Sequence, residues 1–348
     1  MQNRSVNGKA IELIAEIAAH QENRVQKPKL HLRLPLPEIL LMATFIVVGI
    51  VISVFFKLPI SLPSSKSLAF TGMGFTTPFI VIAAGLIITL ITQRAARTLY
   101  FTTVLMAYGA ILVVHFNIKL WATEINPASW DDAYLKIDQA LSPLVSATFS
   151  IRDAFGWMGS TLDLLYLFAF LAMFGCSIIV HSSRSFTVFR KVVLTAMLVH
   201  VLGGLSYLIA PALGPFLYEA GANALETKRQ VYMLAAHNEA IAGGTRWLSM
   251  NGSQYLATGL AAMPSLHVAS SAVFVYYAWV YERRLCWLYL PLFLFIMNEA
   301  VASRWHYVVD IVAGIGLTAV AVFIVEYFFY KWLADVGADR PSKPRLLT

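Results

Sequence analysis

The feature that most limits this chain is the length of its uncharged runs. Ile39–Phe56 holds no charged residue, and His306–Tyr330 holds only Asp310 and Glu326 as acids, with no Lys or Arg before its last residue. Each run is long enough to cross about 30 Å of hydrocarbon as a helix. In that medium the backbone must satisfy its own hydrogen bonds, which leaves helices or a closed barrel. The runs lack the period-2 alternation of a barrel strand, so the expected fold class is an all-α integral membrane protein. Composition agrees. The 348 residues are 58% hydrophobic and 13% charged, with a mean hydropathy of +0.68, whereas a soluble domain carries about a quarter charged residues.

Apolar runs predict eight spans, at Ile39–Phe56, Thr77–Thr92, Tyr100–Phe116, Leu162–Val180, Val192–Ala212, Ser265–Val280, Trp287–Val301 and His306–Tyr330. Ahead of them, Ile11, Leu13, Ile14, Ile17 and Ala18 recur at helical spacing among Glu12, Glu16 and Glu22, which reads as an amphipathic helix on the membrane surface. Pro35 and Pro37 interrupt the chain before the bilayer. No cleavable signal peptide is expected, because the first long apolar run begins near residue 39.

With the N-terminus in the cytoplasm, 17 of the 26 Lys and Arg residues fall in cytoplasmic segments. The positive-inside rule then puts both termini in the cytoplasm, here of a bacterial inner membrane. The net charge of +7 calls for anionic lipid as its partner, not nucleic acid. Two long segments fall on the other face. Residues 117–160 carry Trp121, Trp130, Tyr134, Trp157 and several acids, which suits an interfacial helix with aromatic anchors. Residues 215–263 carry Lys228, Arg229, His237, Glu239 and Arg246, with two glycines at 243 and 244. Cys176 and Cys286 sit inside apolar runs with no metal-ligand spacing, and read as small packing residues. His115, His181 and His200 lie near helix ends or on apolar faces and read as structural.

Another cluster reads differently. It comprises Pro264-Ser265-Leu266-His267 and, later, Arg304-Trp305-His306-Tyr307-Val308-Val309-Asp310 followed by Gly314. The topology puts His267 and His306 at the starts of two spans on one membrane face. Pro264 suits the first turn of its helix, beside Ser265 and unpaired N–H groups that attract anions. His306 and Asp310 are spaced to share a helix face, where a carboxylate holds the imidazole tautomer and stabilises its charged form. Two histidines, a carboxylate, an arginine and a helix N-terminus suit phosphoryl transfer, which needs positive charge, a nucleophile and a proton donor.

These residues resemble the type 2 phosphatidic acid phosphatase (PAP2) superfamily, and most of all its inositolphosphotransferase and inositol-phosphorylceramide synthase branch. The resemblance implies a six-helix catalytic core at residues 99–331, two accessory helices at 39–98, an N-terminal segment at 1–38 and a tail at 332–348. It implies His306 as nucleophile, Asp310 as its orienting partner and His267 as proton donor to the leaving alcohol. Ser265 and nearby N–H groups would hold phosphate oxygens, and no metal or other cofactor is implied. The superfamily's first motif, a Lys and an Arg-Pro, is missing; Ala210-Pro211-Ala212-Leu213-Gly214-Pro215 stands in its place. Its third-motif arginine is displaced too, with Ala300 at that position and Arg304 two residues before His306. Arg304, Arg246, Lys228 and Arg229 are the candidate phosphate-binding cations, and Glu299 is expected to pair with Arg304 or a substrate hydroxyl.

The expected substrate is a lipid phosphate ester or diester. Phosphatidate, a polyprenyl diphosphate, and a phosphoinositide donor with a sphingoid acceptor all satisfy the pattern, as do hydrolysis and headgroup transfer. Oligomeric state is left open. A secondary transporter is the competing class, with Asn298, Glu299 and His200 lining a pathway; the chain lacks the inverted repeat such proteins carry.

Overall fold

The computed structural model describes residues 36–64, 87, 91 and 95–335. The expected surface helix before residue 36 and most of the expected span Thr77–Thr92 lie outside the described residues. Ten α-helices and no strands are found among those described. They are α1 (Leu36–Phe56), α2 (Ala95–Ile125), α3 (Asp131–Ala140), α4 (Ser142–Ala154), α5 (Ser160–Arg184), α6 (Phe186–Ser206), α7 (Ala224–Asn251), α8 (Leu266–Tyr281), α9 (Cys286–Ala302) and α10 (Val308–Asp335).

Five of these, α1, α2, α6, α9 and α10, contain a stretch long and apolar enough to cross a membrane. Helix α5 adds a sixth if its two parts, bent by 42° between Tyr166 and Phe168, form one span. Helix α8 is apolar but has only 16 residues. Seven of the eight expected spans therefore have a helical counterpart, not all of them of spanning length.

Helix α6 organises the bundle because it is buried on two sides. Val188, Val192 and Val199 join one apolar core with α5, α8, α9 and α10. Phe189, Val193, Ala196 and Met197 join a second with α1 and α2. Positions three and four apart share a helix face, so the two valine and aromatic stripes are what hold the halves together.

This helix begins at Phe186, six residues before the sequence reading placed it, although that start brings Arg190 and Lys191 into the helix. Both charges are matched by carboxylates from distant helices. Arg190 Nε and Nη2 donate to Glu38 of α1 at 2.8 and 2.9 Å, and Lys191 pairs with Glu326 of α10. A paired, hydrogen-bonded charge tolerates burial that an isolated one does not. Ser185 caps the helix by accepting from the Val188 N–H.

The segments outside the spans are more structured than expected. Residues 131–154 form two short helices, and residues 224–251 form a long one broken at Gly244, whose φ of 53° an L side chain rarely adopts. Trp121 and Tyr134, expected as interfacial anchors, are instead buried. The Trp121 indole donates to the Pro59 carbonyl at 3.1 Å, so its N–H is satisfied inside the protein.

Candidate active site

Helices α8 and α10 start side by side. Ser265 is the N-cap of α8, and its carbonyl accepts the Ala269 N–H at 3.0 Å. Pro264 thus lies outside the helix and not in its first turn; the Met263–Pro264 peptide is cis. The Ser265 N–H donates to the Asp310 carbonyl at 3.1 Å. One turn on, a Cβ on Gly314 would stand 2.6 Å from the Ser265 carbonyl oxygen, so only glycine lets the two backbones meet there. One turn further, Thr318 Oγ1 donates to the Ala269 carbonyl at 2.7 Å. Asp310, Gly314 and Thr318 form one stripe four residues apart, and that stripe fixes α10 against the start of α8.

His306 precedes α10, so it does not share a helix face with Asp310 as expected. The contact survives by another route. Asp310, the third residue of α10, reaches back over the helix start: its Oδ2 accepts the Tyr307 N–H at 2.9 Å and lies 3.3 Å from His306 Nδ1. This is the acid half of a capping box, put to a second use. With Nδ1–H donating to Asp310, the Nε2 of His306 carries the lone pair. The His306 N–H donates to the Ala300 carbonyl at 3.0 Å, which closes the turn between α9 and α10.

His267 sits in the first turn of α8, within electrostatic reach of His306. Its ring packs on Tyr166 and Phe170 of α5, with centroids 5.5 and 5.1 Å away. The Ser265 hydroxyl is fully buried and has no hydrogen-bond partner among the described residues, and its side chain does not cap α8. A buried, unsatisfied hydroxyl costs stability unless something occupies it.

Two acids that the sequence reading passed over hold the loops in place. Asp131 accepts the N–H groups of Leu213 (2.9 Å) and Gly214 (2.9 Å) and the Tyr307 hydroxyl (2.8 Å). It thereby ties the proline-rich loop to the residue after His306. Asp138 accepts the Val308 N–H at 2.9 Å and the Arg304 guanidinium at 3.0 Å. Asp131, Tyr134 and Asp138 are the buried residues of α3. Their spacing of three and then four places them on one helix face, and that periodicity was the available signal.

The expected cations fare unequally. Arg304 is 1% exposed, with φ of 58°, and is held by both Asp138 and Glu219 (2.7 Å). Arg229 pairs with Glu226, which also accepts the Trp305 indole N–H at 2.7 Å. Burial raises the Glu226 carboxyl above its ordinary range, and Arg229 and Trp305 oppose that rise. Lys228 and Arg246 stand exposed on α7 and take part in none of the ion pairs around His306. His237, also on α7, is held below the usual imidazole range by burial, although the charge of Asp131 pulls the other way.

Glu299 does not pair with Arg304. Its partners are Arg152 of α4, which also binds Asp163, and Asn223 at 3.4 Å. Asn298 donates to the Thr148 carbonyl at 3.2 Å. Both residues therefore fasten α4 to α9. His200 is likewise taken up by packing: its Nδ1 lies 2.9 Å from the Ala196 carbonyl and 3.3 Å from the Tyr108 hydroxyl.

No curated protein and no solved structure matches the chain. The sequence profile of the PAP2 superfamily, however, matches residues 133–324. That stretch is more than half of the chain and includes His267, His306, Asp310 and the loops around them. The chain belongs to the PAP2 superfamily.

Proposed function

We propose that this membrane protein cleaves a phosphate ester or diester of a lipid through a phosphohistidine on His306. The observation that carries the reading is the joined start of α8 and α10, where Asp310 holds His306 Nδ1 while its backbone holds Ser265. In the first step Nε2 attacks phosphorus, the P–O bond to the alcohol breaks, and His267 gives its proton to the leaving oxygen. In the second step His267 takes a proton from water or an acceptor alcohol. That oxygen attacks phosphorus, the P–N bond breaks, and His306 is restored. Asp310 stabilises the imidazolium character that develops on His306 in each step. Ser265 and the first-turn N–H groups of α8 receive the non-bridging oxygens.

Water as acceptor makes the protein a phosphatase, and a lipid alcohol makes it a headgroup transferase, as in the inositolphosphotransferase branch that the sequence resembles. Purified protein in nanodiscs, given labelled phospholipids, separates the two: free phosphate from a monoester, or a phosphomonoester from a diester, marks hydrolysis, and a new phosphodiester lipid marks transfer. The covalent step is tested by quenching turnover in alkali, where an N-phosphohistidine survives, and mapping the labelled peptide. Label on His306 that vanishes in His306→Ala is the expected result. His267→Ala should slow labelling less with a nitrophenolate leaving group than with an alkoxide one. Label on His267, or on no residue during full turnover, would overturn the assignment.

A further inference from the structure

The catalytic centre is short of positive charge. Asp131, Asp138 and Asp310 are all buried around it, and Arg304 is already shared by Asp138 and Glu219. A phosphate ester brings further negative charge into this water-poor site, which is unfavourable without a cation to meet it. Among the described residues, the other cations that are not exposed, namely Arg152, Arg190, Lys191 and Arg229, also have carboxylate partners. Lys119 is the exception. It is half-buried in α2 and has no carboxylate within ion-pair distance among the described residues.

Two observations place Lys119 beside the histidine pair. Its Nζ stands 5.7 Å from the centroid of the Tyr207 ring, and Leu266, the residue before His267, packs against the cluster that Tyr207 forms with Ala122 and Ala261. The loop that leads into Ser265 and His267 is also pressed onto the backbone at this point. A Cβ on Gly259 would stand 2.9 Å from the Lys119 carbonyl carbon and 2.8 Å from the Leu120 nitrogen. Only glycine permits that approach.

We propose that Lys119 is the phosphate-binding cation of this site, its ammonium set by the Tyr207 ring beside His267. The inference rests on the phosphoryl-transfer reading of His306 and His267. Lys119 precedes the stretch that matches the superfamily, residues 133–324, so helix α2 supplies what the matched stretch lacks. It also accounts for the absence of Lys and Arg-Pro from residues 210–215, since the charge enters from a different helix. An aromatic face beside an ammonium restrains the long side chain without neutralising it, which leaves the charge for an anion.

The test uses the full-length protein in nanodiscs and orthovanadate as the phosphate mimic, with binding measured by calorimetry. Wild type should bind vanadate and His306→Ala should not. Lys119→Gln should weaken binding by about 10- to 100-fold, the loss of one charge-assisted hydrogen bond. Lys119→Arg should restore most of it, which a purely structural role for the lysine stem would not require. Vanadate should also protect Lys119 of the wild-type protein from reductive methylation, read by mass mapping, so the proposal is decided even if Lys119→Gln does not fold. Unchanged affinity in a folded Lys119→Gln, or no protection by vanadate, would overturn the role of Lys119 alone. Absence of vanadate binding in wild type, or equal binding in His306→Ala, would overturn the phosphoryl-transfer reading along with it.

Discussion

Asp310 does three things with one residue. Its backbone carbonyl holds Ser265, one carboxylate oxygen caps α10, and the same oxygen holds His306. Asp310→Asn separates these duties. The amide oxygen still accepts the Tyr307 N–H, so the helix start survives, whereas the negative charge that favours imidazolium is lost. We expect turnover to fall by about two to four orders of magnitude, in the range seen when a histidine loses its carboxylate. Helical content and melting temperature should stay close to wild type. A large drop in melting temperature with kcat per folded molecule unchanged would reassign Asp310 to stability. His306 and Asp310 were legible from their spacing, although the reason differs: the pair works across a helix start and not along a helix face. Ser265 and His267 were legible as well. Asp131 and Asp138 share one face of α3 with Tyr134, but that spacing alone does not show what the face packs against, and the tertiary structure shows that it is buried.

At the level of elements, the bundle is joined by charges that a hydropathy reading puts outside it. Glu38 of α1 is fully buried and receives both Nε and Nη2 of Arg190. It also lies in the first turn of its helix, where the dipole favours an acid. Removing one partner strands the other in an apolar interface, at a cost of about 3–5 kcal/mol. Glu38→Leu and Arg190→Leu should each lower the thermal stability of the protein in detergent by that order. The double variant should recover much of the loss, because no charge is left unpaired. Simple additivity of the two single effects would show that the pair does not couple α1 to α6. The start of α6 was misplaced in the sequence reading for this reason: Arg190 and Lys191 look like a membrane boundary until their partners 152 and 135 residues away are known.

For the whole molecule, the distribution of charge predicts which face of the membrane carries the site. In the topology expected from the sequence, the basic residues concentrate in the segments that share one side with the N-terminus, while the starts of α8 and α10 fall on the other. We expect the histidine pair to face away from the cytoplasm. With Cys176 and Cys286 replaced, a cysteine at exposed Gln254 should react with an impermeant thiol reagent on intact cells, and one at exposed Ser183 should react only after lysis. The reverse pattern would place the site in the cytoplasm. The substrate lipid would then have to come from the inner leaflet.

What the sequence determined alone is what depends on order along the chain. Uncharged runs of the right length require helices in a bilayer, and the spacing of His306, Asp310 and Gly314 places them at one helix start facing a second. The tertiary structure decided which charges remain available. Arg304, two residues from His306, was the leading cation by proximity, yet it is shared by Asp138, 166 positions away, and Glu219. Arg229 is taken by Glu226, a neighbour within its own helix. Lys119, far from both motifs in sequence, has no carboxylate partner among the described residues and stands 5.7 Å from the centroid of the Tyr207 ring. A charge is free or neutralised according to what stands within a few ångströms of it in a medium that screens poorly, and order along the chain does not contain that distance.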